Sequence, residues 1–186
     1  MIGNDVVDLQ LAATESRWQR KGYLDKVYTP AEQARILADE VPDTVVWLLW
    51  SSKEAVYKIV NRATKTKFYA PLKFECTSLE MQGQMIRGTV QYENRQYPFR
   101  SEITGACVHT IAVATETLFT KIKTAVVPYN GNDYTEILRR AGILQQHHQL
   151  LKSHLGIPYL WDAQHQYESP VSVSHHGRYL GITIPL

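Results

Sequence analysis

Residues 50–58, Trp-Ser-Ser-Lys-Glu-Ala-Val-Tyr-Lys, constrain the fold more than any other stretch. Val45, Val46, Leu48 and Leu49 precede them and Ile59 and Val60 follow, so the apolar spacing predicts a partly buried helix from about Asp43 to Val60. On such a helix Trp50, Glu54 and Lys58 share a face, with Glu54 in reach of Lys58. Charged groups beside large apolar side chains need compensation. One reading is an ordinary helix ion pair, worth a few tenths of a kcal/mol. The other is a pair of groups that do chemistry.

Two more segments bear on that choice. Ile2, Val6, Val7 and Leu9 suggest a short first strand, which Asp5 interrupts although Asp is disfavoured in strands. Asp5 reads either as a turn residue after Gly3-Asn4 or as a carboxylate held to bind a cation. Mg²⁺ takes oxygen ligands, commonly one or two carboxylates plus substrate phosphates, and Asp5 with Glu54 would supply that pair. Near the other end, Val171 and Val173 alternate with Ser172 and Ser174 in a strand ending at His175, followed by a His176-Gly177 turn and Arg178. Hydroxyl, imidazole and guanidinium at a strand end suit a phosphate; a polar surface turn is the plainer reading.

The rest of the chain reads as helices followed by strands. Thr14 to Lys26 is a basic helix candidate carrying Arg17, Arg20 and Lys21. Thr29, Pro30 and Glu32 announce a capped helix that ends near Val41-Pro42. Strands near Leu72–Ser78, Met85–Tyr92, Tyr97–Ile103 and Cys107–Ala114 form an antiparallel meander. Ile122–Val127 is a further strand, and a long helix from about Asp133 to Leu155 is expected to end at Gly156. Strands at Tyr159–Leu160, Gln164–Tyr167, Val171–Ser174 and Tyr179–Ile184 complete the chain. His147, His148 and His154 on the long helix lack the spacing of a metal-binding helix and read as surface or packing residues.

With 186 residues, 44% of them hydrophobic, the chain can bury a core and forms one domain or two closely packed halves. Its 20 basic and 18 acidic side chains leave a net charge of +2, which does not suggest a nucleic-acid partner. No apolar run approaches a membrane span, and Asp5 and Asp8 stand where a secretory leader needs apolar residues. Cys76 and Cys107 read as buried thiols. These features point to a cytoplasmic protein with no membrane partner.

Taken in order, the segments resemble the 4′-phosphopantetheinyl transferase superfamily. Ile2-Gly3-Asn4-Asp5-Val6-Val7-Asp8 resembles its Gly-Ile-Asp-Ile-Val-Glu segment. Trp50 to Lys58 matches its Trp-x-x-Lys-Glu-Ala-x-x-Lys motif, and Val171 to His175 its Ser-His strand. The resemblance implies an α+β fold of two similar helix-plus-antiparallel-sheet halves forming a pseudo-dimer, here divided at 1–116 and 117–186, that works as a single catalytic unit. It implies transfer of phosphopantetheine from coenzyme A to a serine of an apo acyl or peptidyl carrier protein, as in holo-acyl-carrier-protein synthase, with release of 3′,5′-ADP. Asp5 and Glu54 would hold Mg²⁺, and Glu54 and Lys58 would be catalytic, with Glu54 a metal ligand, a general base or both. Lys53, Lys58, Ser174, His175 and Arg178 would bind the phosphates of coenzyme A, and Arg17, Arg20 and Lys21 would steer an acidic carrier. Asp8 matches a Glu that supports structure in small members. Val7 replaces a second acid of larger members and Ile157 a phosphate-contacting Lys, which motivates an alternative: a weak or inactive homologue that still binds carriers.

Overall fold

The computed structural model describes residues 1–131 and 133–186. Strand β1 (Ile2–Asp8) is followed by α1 (Leu9–Glu15), α2 (Tyr23–Val27), α3 (Pro30–Ala38) and α4 (Pro42–Thr64). Strands β2 (Phe74–Gln82), β3 (Met85–Tyr92), β4 (Arg95–Ile103) and β5 (Cys107–Val113) then form the expected meander. β1 returns to pair antiparallel with β5, giving the sheet order β1-β5-β4-β3-β2. The α4 helix lies across this sheet, and Val46, Leu49, Val56 and Ile59 pack into one core with Phe74, Ile86, Val90, Phe99 and Val108. Each such side chain fully buried stabilises by about 1.5–3 kcal/mol.

The remaining chain builds two smaller sheets. Strands β6 (Ile122–Pro128), β10 (Ser172–His176) and β11 (Tyr179–Pro185) form one, in the order β10-β11-β6. Strands β7 (His148–Lys152), β8 (Pro158–Asp162) and β9 (Tyr167–Pro170) form the other, and α5 (Tyr134–Arg140) packs beside them. A second core of Val127, Leu138, Leu144, Leu160, Val171, Leu180 and Ile182 holds this part together. The architecture is α+β with antiparallel sheets throughout.

Four expectations are corrected. The helix read over 14–26 is two short helices, α1 and α2, joined by a turn at 16–22, so Arg17, Arg20 and Lys21 are exposed on that turn rather than along a helix. The helix read over 133–155 stops at Arg140: Gly142 follows in the left-handed region (φ +69°), and the chain re-enters as strand β7. Gly156, read as a helix cap, instead turns β7 into β8 with φ +76°. The strand read at 164–167 begins only at Tyr167.

β1 joins the two parts. Its Asn4 N–H donates to Ser172 Oγ at 2.8 Å and its Asp8 N–H to His176 Nδ1 at 3.0 Å, so side chains of β10 satisfy an otherwise open sheet edge. Arg62, in the last turn of α4, donates to the carbonyls of Val171 (2.6 Å) and Pro158 (2.9 Å).

Candidate active site

Gly3 sets the distance between β1 and α4. A Cβ there would lie 1.9 Å from the Ala55 carbonyl oxygen and 3.2 Å from Ile59, so only glycine lets the strand pack this closely. Asp5, two residues on, shares the face that meets the helix. The Lys58 ammonium donates to the Asn4 carbonyl at 2.6 Å and to Asp5 Oδ1 at 3.1 Å. Burial pushes the Asp5 carboxyl above its usual range, opposed by the positive charge of Lys58. Burial also raises Glu54, to about 7, with the negative charge of Asp5 adding to the effect and Lys58 opposing it. Strand and helix thus bring two acids and a lysine into one electrostatic group. Desolvated carboxylates of like charge, offering hard oxygen donors, fit a divalent cation such as Mg²⁺. Val7, expected from the resemblance to replace an acid, is 4% exposed in the main core.

Behind β1 lies a buried polar cluster that the sequence reading missed. Asn4 is fully buried; its Nδ2 donates to Ser174 Oγ at 3.2 Å and lies 3.4 Å from His109 Nε2. Burial, with a smaller effect from Lys58, lowers His109 to about 4, so at neutral pH it is uncharged and can accept that bond. A Cβ on Gly181 would crowd Asn4 Nδ2 (2.9 Å) and Ser174 Oγ (3.0 Å). The signal for His109 was a lone titratable side chain in an apolar strand, the same kind of signal that singled out Asp5.

Ser174 and His175 line a cleft of about 410 Å³ together with Tyr134, Lys152, Gly156 and Pro158. His175 is exposed, and its Nδ1 lies 2.6 Å from the Tyr134 hydroxyl. Burial lowers its pKa, and the charges of His176, Lys58 and Lys152 act in the same direction. Lys152 had no sequence signal, because its strand was read as helix. Glu54 itself lines a smaller hollow of about 120 Å³ with Tyr57, Phe68, Tyr69 and Phe74.

Two of the expected phosphate ligands have other tasks. Lys53 is 2% exposed, and its ammonium donates to Glu32 Oε2 (2.6 Å) and to the carbonyls of Val27 (2.8 Å) and Pro71 (3.3 Å). All its N–H donors are therefore used inside the protein. Glu32 also caps α3 with Thr29 and accepts from the Cys76 N–H at 2.8 Å, so Lys53 ties α3 and α4 to β2. Arg178 points Nε and Nη2 at Asp8, at 2.8 and 3.0 Å, and holds that buried carboxyl well below its usual range. Asp8 in turn caps α1 through the N–H groups of Gln10 and Leu11.

A family model described as the 4′-phosphopantetheinyl transferase superfamily matches residues 1–114. The chain belongs to that superfamily. The matched part contains Asp5, Glu54 and Lys58 and ends one residue after β5. Members are transferases that use coenzyme A and carrier proteins, typically with a divalent metal. No curated protein matches the chain. Among the described residues no helix is long and apolar enough to cross a membrane.

Proposed function

We propose that this chain transfers the 4′-phosphopantetheine group of coenzyme A to a serine of an apo acyl or peptidyl carrier protein and releases 3′,5′-ADP, as a holo-acyl-carrier-protein synthase does. It works as one cytoplasmic unit, with its site between the halves 1–116 and 117–186. The observation that carries this reading is the convergence of Asp5, Glu54 and Lys58 from β1 and α4 on one group, with Ser174 and His175 of the neighbouring cleft carried on β10, which packs against β1.

The roles follow from the chemistry of each side chain. Asp5 and Glu54 would hold Mg²⁺, which when bound neutralises charge on the pyrophosphate. Lys58 contributes a positive charge beside the same phosphates, positioned by its bond to the Asn4 carbonyl. Glu54, raised to about 7, can hold the proton of the attacking serine at neutral pH, directly or through a water. The serine oxygen forms a bond to the pantetheine-bearing phosphorus, and the bond from that phosphorus to the 3′,5′-ADP oxygen breaks. Ser174, His175 and Lys152 suit the 3′-phosphate, whereas the Arg178 guanidinium is held by Asp8. Arg17, Arg20 and Lys21, exposed on one turn, would guide an acidic carrier.

Incubation with coenzyme A, Mg²⁺ and a panel of apo carrier proteins, followed by intact mass, tests the reading. The expected result is a phosphopantetheine adduct on at least one carrier, abolished by Asp5→Ala or Glu54→Ala in folded protein. Carrier binding with no adduct at high enzyme concentration would instead mark the chain as an inactive, carrier-binding homologue.

A further inference from the structure

The histidines that looked incidental on a helix come together once their segment forms a hairpin. His148 stands opposite Asp162 in the β7–β8 ladder, His147 precedes it, and the Ala163 N–H closes that end by donating to the His147 carbonyl at 3.0 Å. The chain turns through 163–166 and returns His165 to the same carboxylate. Three imidazoles then surround one acid. His165 Nδ1 is 2.7 Å from Asp162 Oδ2, His147 Nε2 is 3.8 Å from Oδ1, and His148 Nε2 is 3.8 Å from Oδ2.

The three groups do not play equal parts. His148 Nδ1 accepts from the Gln145 N–H at 3.2 Å, so its ring proton belongs on Nε2, facing the carboxylate. That makes it a partner of the acid rather than a metal ligand. His147, Asp162 and His165 remain, and one donor atom from each lies within 4.8 Å of the others. A tetrahedral ion with bonds of roughly 2.0–2.2 Å holds its ligand atoms about 3.4 Å apart. His165 is exposed and His147 half-buried, so their side chains have room to rotate toward that spacing. Asp162 is already oriented: its Oδ1 accepts from the N–H groups of Gln164 (2.9 Å) and His165 (3.1 Å). Two imidazoles and one carboxylate suit Zn²⁺ and its neighbours in the first transition row, and suit Mg²⁺ poorly.

We infer that His147, Asp162 and His165 bind one divalent ion of the zinc class, with a fourth position left to water or an external ligand. None of these residues shares an element with Asp5, Glu54 or Lys58. The ladder that begins at His148 and Asp162 ends at Lys152 and Pro158, on the wall of the His175 cleft, so the ion would brace that wall.

The test is a zinc titration of metal-stripped full-length protein against a chromophoric chelator near neutral pH. It is repeated in an Asp5→Asn, Glu54→Gln background so that those acids cannot supply the site. The expected result is one equivalent of zinc bound with a Kd below about 1 μM in both proteins, a strength set by two imidazoles and a carboxylate. Millimolar Mg²⁺ should leave it in place. His165→Ala and Asp162→Asn should each weaken binding by at least about tenfold, with circular dichroism showing both folded. Because His165 is exposed on a turn, its variant keeps the hairpin. Absence of zinc binding with a Kd below about 1 μM, or unchanged affinity in folded His165→Ala, overturns the inference.

Discussion

Glu54 is a carboxylate that the fold makes costly to ionise. Its pKa rises from 4.5 to about 7, chiefly through burial, which corresponds to at most about 3 kcal/mol of native-state destabilisation once it is charged. The sign follows from proton counts: between 4.5 and about 7 the folded chain holds a proton that the unfolded chain has released, so this group's contribution to stability falls as pH rises through that window. Glu54→Gln is therefore expected to abolish transfer and yet melt higher than wild type at pH 8, with the gain shrinking toward pH 5. Melting curves of both proteins at the two pH values check this. A stabilising substitution at a working residue is the expected trade-off for a strained site. Its neighbour Lys53 should behave in the opposite way. Lys53→Ala leaves Glu32 buried without its ammonium and is expected to cost about 3–5 kcal/mol. Urea unfolding reads that loss, and an unchanged midpoint would contradict the role of Lys53 in joining α3, α4 and β2.

At the scale of elements, one contact decides whether the acids meet. β1 and α4 approach until the Gly3 backbone touches the Ala55 carbonyl, and Asp5 reaches Lys58 because of it. Gly3→Ala should push the strand off the helix. A displacement of about 1 Å can cost on the order of 100-fold in rate, so transfer should fall further than stability alone accounts for. Comparing turnover with the fraction folded, from circular dichroism at the assay temperature, separates the two effects. The helix itself was legible: the apolar repeat through Trp50–Lys58 marks its buried face, and α4 spans Pro42–Thr64. The helix expected over 133–155 was not. Leu138, Leu144, Leu150 and Leu151 satisfy a helical period and are equally compatible with a short helix, a glycine turn and a strand; Gly142 decides in favour of the latter.

At the scale of the molecule, the proposed function gives the basic turn at 16–22 a part in encounter rather than chemistry. Charge reversal of Arg17, Arg20 and Lys21 together should raise KM for an acidic carrier several-fold, leave kcat nearly unchanged and flatten the salt dependence, because screening then has less attraction to remove. Steady-state kinetics at low and high salt check it; an unchanged KM would assign the carrier to another face. The same turn shows how placement can differ from expectation while charge does not: exposed basic residues were legible, whereas their arrangement on a turn depended on where α1 ended.

The order of Asp5, Glu54 and Lys58 in the chain, the helix bearing two of them and the meander were readable from the sequence alone, because local periodicity and side-chain chemistry suffice to specify them. What only the tertiary structure decided was association across distance. Lys53 turned inward because Glu32, from another helix, lay waiting in the core; Asn4, Ser174 and His109 met because β1 is shared between two packed layers. His147, Asp162 and His165 converged because a hairpin replaced a helix. Such meetings depend on which buried surfaces pack together, and no local pattern along the chain encodes that.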